Sequence, residues 1–190
     1  MSELRIYSET QPGKPEKTLH SFESMRDALA GIGVELERWT ATKQLDPQAT
    51  QDEVIEAYRQ PIDTLMKKYG FKSVDVISIQ PDNPQKAQMR DKFLHEHVHE
   101  DFEVRFFVEG RGLFNIHKNG KVYAMLCERG DLLSVPANTT HWFDMGPEPV
   151  LKAIRLFAIP EGWVAKFTGA RIADDFPRLE SPHYKLAKAA

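Results

Sequence analysis

The chain has 190 residues, of which 25 are basic and 28 acidic, intermixed to a net charge of −3. That length leaves room for one sizeable core, and no basic stripe of the kind that follows a phosphate backbone is present. A single cysteine, Cys127, excludes an intrachain disulfide and a multi-cysteine zinc site and suits a reducing compartment.

The N-terminus shows no basic n-region leading into an apolar h-region, and no window reaches the ~18 apolar residues of a membrane span. A cytoplasmic monomer with no nucleic-acid or membrane partner is therefore expected. Leu4 to Tyr7 alternates as a strand does, and the QPGKPEK run that follows, with two prolines and a glycine, predicts a loop. A short helix is predicted over Met25 to Ala30, ending near Gly31 and Gly33, and a strand over Val34 to Trp39. Thr50 and Glu53 have the spacing of a capping box. Val54, Ala57, Tyr58, Ile62, Leu65 and Met66 continue at helical intervals, with Pro61 marking a kink or break and Gly70 a C-terminal cap. Val74 to Ile79, rich in β-branched residues, predicts a strand, and Lys86 to Phe93 one more helix.

From residue 95 the pattern changes. Phe102 to Val108, Gly112 to Lys118, Lys121 to Glu128, Asp131 to Val135, Thr140 to Met145 and Leu151 to Ile159 are six strand-like runs. Asn119-Gly120 between two of them is a strong hairpin signal, because both central residues of a type I′ turn need positive φ. Six strands at this spacing predict a barrel or sandwich. The tail from Gly169 has little apolar periodicity and is expected to lie over the surface. The expected organisation is one mainly β domain over residues 1–190: a strand-and-helix elaboration to about residue 92, a barrel core over about 93–168, and the tail 169–190.

The densest chemistry lies in HEHVHEDFEVR, residues 95–105. Side chains two apart in a strand share a face, so His97 and His99, or equally His95 and His97, can converge on one metal ion. Glu103 has the same parity, but a straight strand would carry it about 20 Å from His97 at ~3.3 Å per residue. A turn around residues 100–102 must fold it back, and that turn places Glu100 and Asp101 in solvent. Beyond it, Arg105 and Phe107 share the face of Glu103, while Val104, Phe106 and Val108 face the other way. An inward arginine two residues from a metal carboxylate puts a permanent cation where an anionic substrate would be stabilised. Downstream, GDLLSVPANTTHWFDMG offers His141, which opens a strand with Phe143 on its face. His117, in a hairpin arm beside Lys118, is expected to be exposed.

Residues 97–110, HVHEDFEVRFFVEG, and 130–141 match the two cupin motifs, although Asn138 stands where many cupins have glycine. A cupin β-barrel, the double-stranded β-helix or jelly roll, is the fold this implies. EVRFFVEGRGLF (103–114), DLLSVPANTTHWFDMG (131–146) and the IRLF and PEGW runs (154–157 and 160–163) more closely resemble the acireductone dioxygenase family of methionine salvage. Carried over by position, the resemblance implies His97, His99, Glu103 and His141 as ligands of one Fe²⁺ or Ni²⁺ per chain, with His95 outside the set. It implies Arg105 as a catalytic contact and Phe93, Phe143, Trp163, Arg155 and Glu96 around the substrate. Arg155 has an ion pair as its alternative role, and Cys127 is expected to be a buried small hydrophobe. The small-molecule partners implied are an acireductone and O₂. With iron the products would be the 2-oxo acid precursor of methionine and formate; with nickel, 3-(methylthio)propanoate, formate and carbon monoxide. A metal-dependent cupin isomerase or epimerase would share the ligands without consuming O₂, and a non-enzymatic sensing cupin would tolerate their loss.

Overall fold

The computed structural model of the chain describes residues 1–40, 45–46, 48–159, 164–180 and 184. Strand β1 (Glu3–Ser8) pairs with a short β2 (Lys17–Leu19), and helix α1 (Phe22–Ala30) starts where the Ser21 side chain accepts the Ser24 N–H. After β3 (Glu35–Arg38) comes α2 (Gln51–Ala57), whose N-terminus carries both bonds of the Thr50–Glu53 capping box. A cap of this kind is worth about 1 kcal/mol. Pro61 does break the helix, and the break falls at Tyr58: proline has no N–H to donate back to Ala57, so the chain restarts as α3 (Arg59–Tyr69) with Pro61 in its first turn. Gly70, at φ 73°, caps α3 as expected. Then follow β4 (Ser73–Ile79) and α4 (Lys86–Leu94).

The barrel strands are β5 (His97–Val98), β6 (Glu103–Lys118), β7 (Lys121–Glu128), β8 (Asp131–Val135), β9 (Thr140–Asp144), β10 (Leu151–Phe157) and β11 (Lys166–Phe167). Two of the predicted strands, 102–108 and 112–118, are one. Gly110 is not a turn residue but a pivot at φ 74°, where β6 changes partners without breaking. Before it β6 lies between β8 and β10; after it, between β7 and β9. Two antiparallel sheets result, in the orders β11-β5-β9-β6-β7-β1-β2 and β3-β8-β6-β10-β4, with β6 in both. Asn119 and Gly120 both take positive φ, 55° and 71°, closing the β6–β7 hairpin as a type I′ turn requires.

Parity then fills three cores. The inward face contributes Phe107, Phe114, Ile116, Met125, Cys127, Leu133 and Phe143 to the barrel interior, which α1 helps close with Met25 and Leu29. Val104, Phe106 and Val108 point outward, as their parity requires, onto Val54, Tyr58, Ile62 and Leu65 of α2 and α3. Each such side chain contributes roughly 1.5–3 kcal/mol when fully buried. The tail covers the outer face of the first sheet, burying Ala173, Phe176 and Leu179 against Tyr7, Leu113 and Trp142. Among the described residues, no helix is long and apolar enough to cross a membrane.

Candidate metal centre

β5 and β9 are held side by side with His97 opposite His141 in register. The turn after His99 doubles back so that Glu103, first residue of β6, stands beside them. His97, His99, Glu103 and His141 are all buried, and each offers a ligand atom within 4.8 Å of all the others. Ligands on opposite sides of an ion with ~2.1 Å bonds stand ~4.2 Å apart, so a small inward adjustment closes the set.

The imidazoles are already oriented. His97 Nδ1 lies 2.7 Å from the His95 carbonyl, His99 Nδ1 3.2 Å from that of Val164, and His141 Nδ1 2.7 Å from that of Thr139. A carbonyl oxygen only accepts, so each Nδ1 carries the hydrogen and each Nε2 keeps its lone pair for the cluster. Glu103 Oε2 is 3.3 Å from His99 Nε2 and 2.7 Å from His141 Nε2. The Glu103 and His141 atoms are not aligned for a hydrogen bond, and neither has a partner among the described residues. Acceptor atoms buried this close repel one another unless a cation lies between them, and buried polar atoms are otherwise nearly always satisfied. A divalent ion fits this donor set.

Electrostatics keep His97 and Glu103 in forms able to bind a cation. Burial, reinforced by the neighbouring His141, pushes His97 down to about 4, so it is neutral at pH 7. Burial pushes the Glu103 carboxyl up, but the charge of the neighbouring Arg105 leads the interactions that outweigh it and hold the group well below the ordinary carboxylate range. Arg105 is buried; its Nη2 donates to Glu103 Oε1 at 2.7 Å, and its guanidinium lies 4.5 Å over the Phe143 ring and 5.1 Å over that of Phe114. It stacks on aromatic faces as a guanidinium can.

The other expected site residues fall in three places. Phe143 is buried, and half-buried Phe93 from α4 meets it edge-on at 6.3 Å. Arg155 faces Arg105 across β6 and β10, with its guanidinium clasped by both oxygens of Asp75 at 2.8 and 2.6 Å. Glu96, just before β5, is turned away from His97: its carboxylate takes a hydrogen bond from Thr168 at 2.6 Å and holds His117 Nδ1 at 2.8 Å. Trp163, with the PEGW run, lies outside the described residues. His95 is exposed and lends the cluster only its carbonyl.

Several participants escaped the sequence pattern. Gly112 seats Phe143: a Cβ there would stand 2.2 Å from the ring. Asn138, in the position where many cupins have glycine, takes φ 58°, which asparagine tolerates, and its N–H reaches the His99 carbonyl at 2.7 Å. His117 is not the exposed residue expected but the centre of a Glu9–His117–Glu96 chain. Burial pulls its pKa down, and the hydrogen bonds and charges of Glu9 and Glu96 more than reverse this, leaving it raised. A group raised on folding contributes stability that is complete below the unfolded value of ~6.5 and is lost as pH climbs through the folded one. NMR titration is therefore expected to place the His117 midpoint above ~6.5, with Glu96→Gln lowering it; an unchanged midpoint in that variant would contradict the pairing.

A two-sheet jelly-roll barrel holding three histidines and a glutamate on its inner wall defines a metal-binding cupin. The ARD/ARD' family model matches residues 3–165. Acireductone dioxygenases of Methylococcus capsulatus and Alcanivorax borkumensis are 56% and 54% identical, covering 97% and 94% of this chain and 100% and 98% of their own. The structure of acireductone dioxygenase from Bacillus anthracis, with a cadmium ion in its active centre, superposes with a TM-score of 0.79 at 30% identity, covering 88% of this chain and 98% of that one. The chain belongs to the ARD/ARD' family, the acireductone dioxygenases.

Proposed function

We propose that the chain cleaves 1,2-dihydroxy-5-(methylthio)pent-1-en-3-one with O₂ in methionine salvage, and that its cofactor is one Fe²⁺ or Ni²⁺. The observation that carries this reading is the buried cluster of three imidazoles and a carboxylate beside a fixed arginine. His97, His99, Glu103 and His141 would hold the ion, which supplies a Lewis acid and a template for the substrate oxygens. Their nitrogen and oxygen donors suit either metal, and the Irving–Williams order favours Ni²⁺ when both are offered. Iron would give 4-(methylthio)-2-oxobutanoate and formate, and nickel 3-(methylthio)propanoate, formate and carbon monoxide.

The chain's own residues supply charge and shape. Glu103 and Arg105 offset one another, so Arg105 is held at a fixed depth, with its plane set by Phe143 and Phe114. A cation prepositioned in this way stabilises the enediolate without reorganising when the substrate arrives. Phe143 and Phe93 offer an apolar wall for the thioether tail, to which we add Trp163. Arg155, bound to Asp75, adds positive potential behind Arg105. Glu96 faces away from the ligands, and its role is to hold the strand that bears His97.

The test is direct. Bound metal is measured, synthetic acireductone is added anaerobically, and its ultraviolet band is followed before and after O₂ is admitted. Iron-loaded and nickel-loaded protein should both hasten its loss on admitting O₂, with carbon monoxide released only by the nickel form. Decay no faster than without enzyme in both forms would overturn the reading.

A further inference from the structure

Asp101 was expected in a solvated turn between two ligands, His99 and Glu103, yet it is 5% exposed. Its Oδ1 accepts the Phe102 N–H at 2.8 Å, while Oδ2 accepts the N–H groups of Ala158 at 2.6 Å and Ile159 at 3.1 Å, just beyond β10. Neighbouring Glu100 is exposed and pairs with the Lys166 ammonium at the surface. A carboxylate taken out of water to receive three backbone N–H groups is costly to replace, since a neutral substitute leaves buried donors unmet.

Those bonds join pieces of the metal centre that are remote in sequence. The turn at 100–102 sets where Glu103 stands relative to His99. The chain beyond β10 returns to the same hairpin: the Val164 carbonyl takes the hydrogen of His99 Nδ1, the Thr168 N–H reaches the Glu96 carbonyl at 3.1 Å, and Phe167 pairs with His97. Asp101 thus fastens the ligand-bearing turn to one end of a segment whose other end orients His99.

We propose that Asp101 is a positioning residue of the metal centre, its buried carboxylate tying the His99–Glu103 turn to the end of β10. This rests on the four-residue cluster binding a metal. It acts through Glu103 and His99 and need not touch ion or substrate.

The test uses the full chain loaded with Ni²⁺, as wild type, Asp101→Ala, Asp101→Asn and Glu100→Gln. The rate of Ni²⁺ loss to excess chelator is measured alongside the thermal midpoint and the amide exchange of Ala158 and Ile159. Losing a group hydrogen-bonded directly to a metal ligand typically costs ~10–100-fold in affinity; Asp101 acts one step further out, through the turn, so Asp101→Ala is expected to speed Ni²⁺ loss by about 10-fold, the lower end of that range. Asp101→Asn, which keeps the size and one acceptor oxygen, should fall between it and wild type, and should carry the test if the alanine variant does not fold. Glu100→Gln should stay within ~2-fold of wild type, as exposed surface pairs contribute little. A lowered midpoint with Ni²⁺ loss from folded Asp101→Asn at the wild-type rate would reduce Asp101 to a general stabiliser and overturn the proposal. If wild-type protein itself retains no Ni²⁺ or Fe²⁺, the metal reading fails and takes this inference with it.

Discussion

His99→Ala is expected to abolish metal retention, whereas His95→Ala should keep it near wild type. The two imidazoles are four residues apart, and strand parity alone allows either to join His97. Only His99 turns its Nε2 toward Glu103, at 3.3 Å, with Nδ1 fixed on the Val164 carbonyl. His95 leaves its ring in solvent, edge-on to Phe167. Its contribution to the cluster is a backbone carbonyl, which any residue would keep. Removing a direct ligand should cost more than the ~10–100-fold typical of an outer partner. Metal analysis after gel filtration measures both variants, and equal loss in the two would overturn the ligand assignment.

Gly110→Ala is expected to destabilise the fold by about 4 kcal/mol or more, among the largest effects a single substitution produces. At φ 74° any Cβ is strained, and here it would stand 1.5 Å from the Val150 carbonyl oxygen. That atom is backbone, and the Arg111 N–H is directed at it at 3.3 Å, so it has no rotamer by which to move aside. The urea midpoint should fall sharply with little change in slope. A midpoint near that of wild type would mean that β6 can pivot elsewhere.

The ligand set shows what local pattern conveys. Alternation placed His95, His97, His99, Glu103 and Arg105 on one face, which needs only neighbouring residues, and left open whether His95 or His99 joins His97. The inward–outward split of Arg105 and Phe107 against Val104 and Phe106 follows the same rule. Gly110 and Gly112 look like a turn because glycine marks turns and close approaches alike. Which of the two holds depends on Val150 and Phe143, both distant in sequence. Asp101 and Arg155 were obscure for the same reason, since their partners lie 57 and 80 residues away. Strands of two or three residues, such as β2, β5 and β11, are shorter than any alternation can reveal. The tail did carry a signal: Ala173, Phe176 and Leu179 recur every third residue, and all three are buried.

The passage of β6 through both sheets has a mechanical consequence. One unbroken strand carries Glu103 and Arg105 in its first half and Phe114, under the guanidinium, in its second. A strand shared by both sheets opposes shear or hinging between them. The Glu103–Arg105 pair and its aromatic platform are therefore held in a fixed relation to one another before any small molecule arrives. Little of the binding energy is then spent on closing the frame, and more remains for holding the reactant in its reactive geometry.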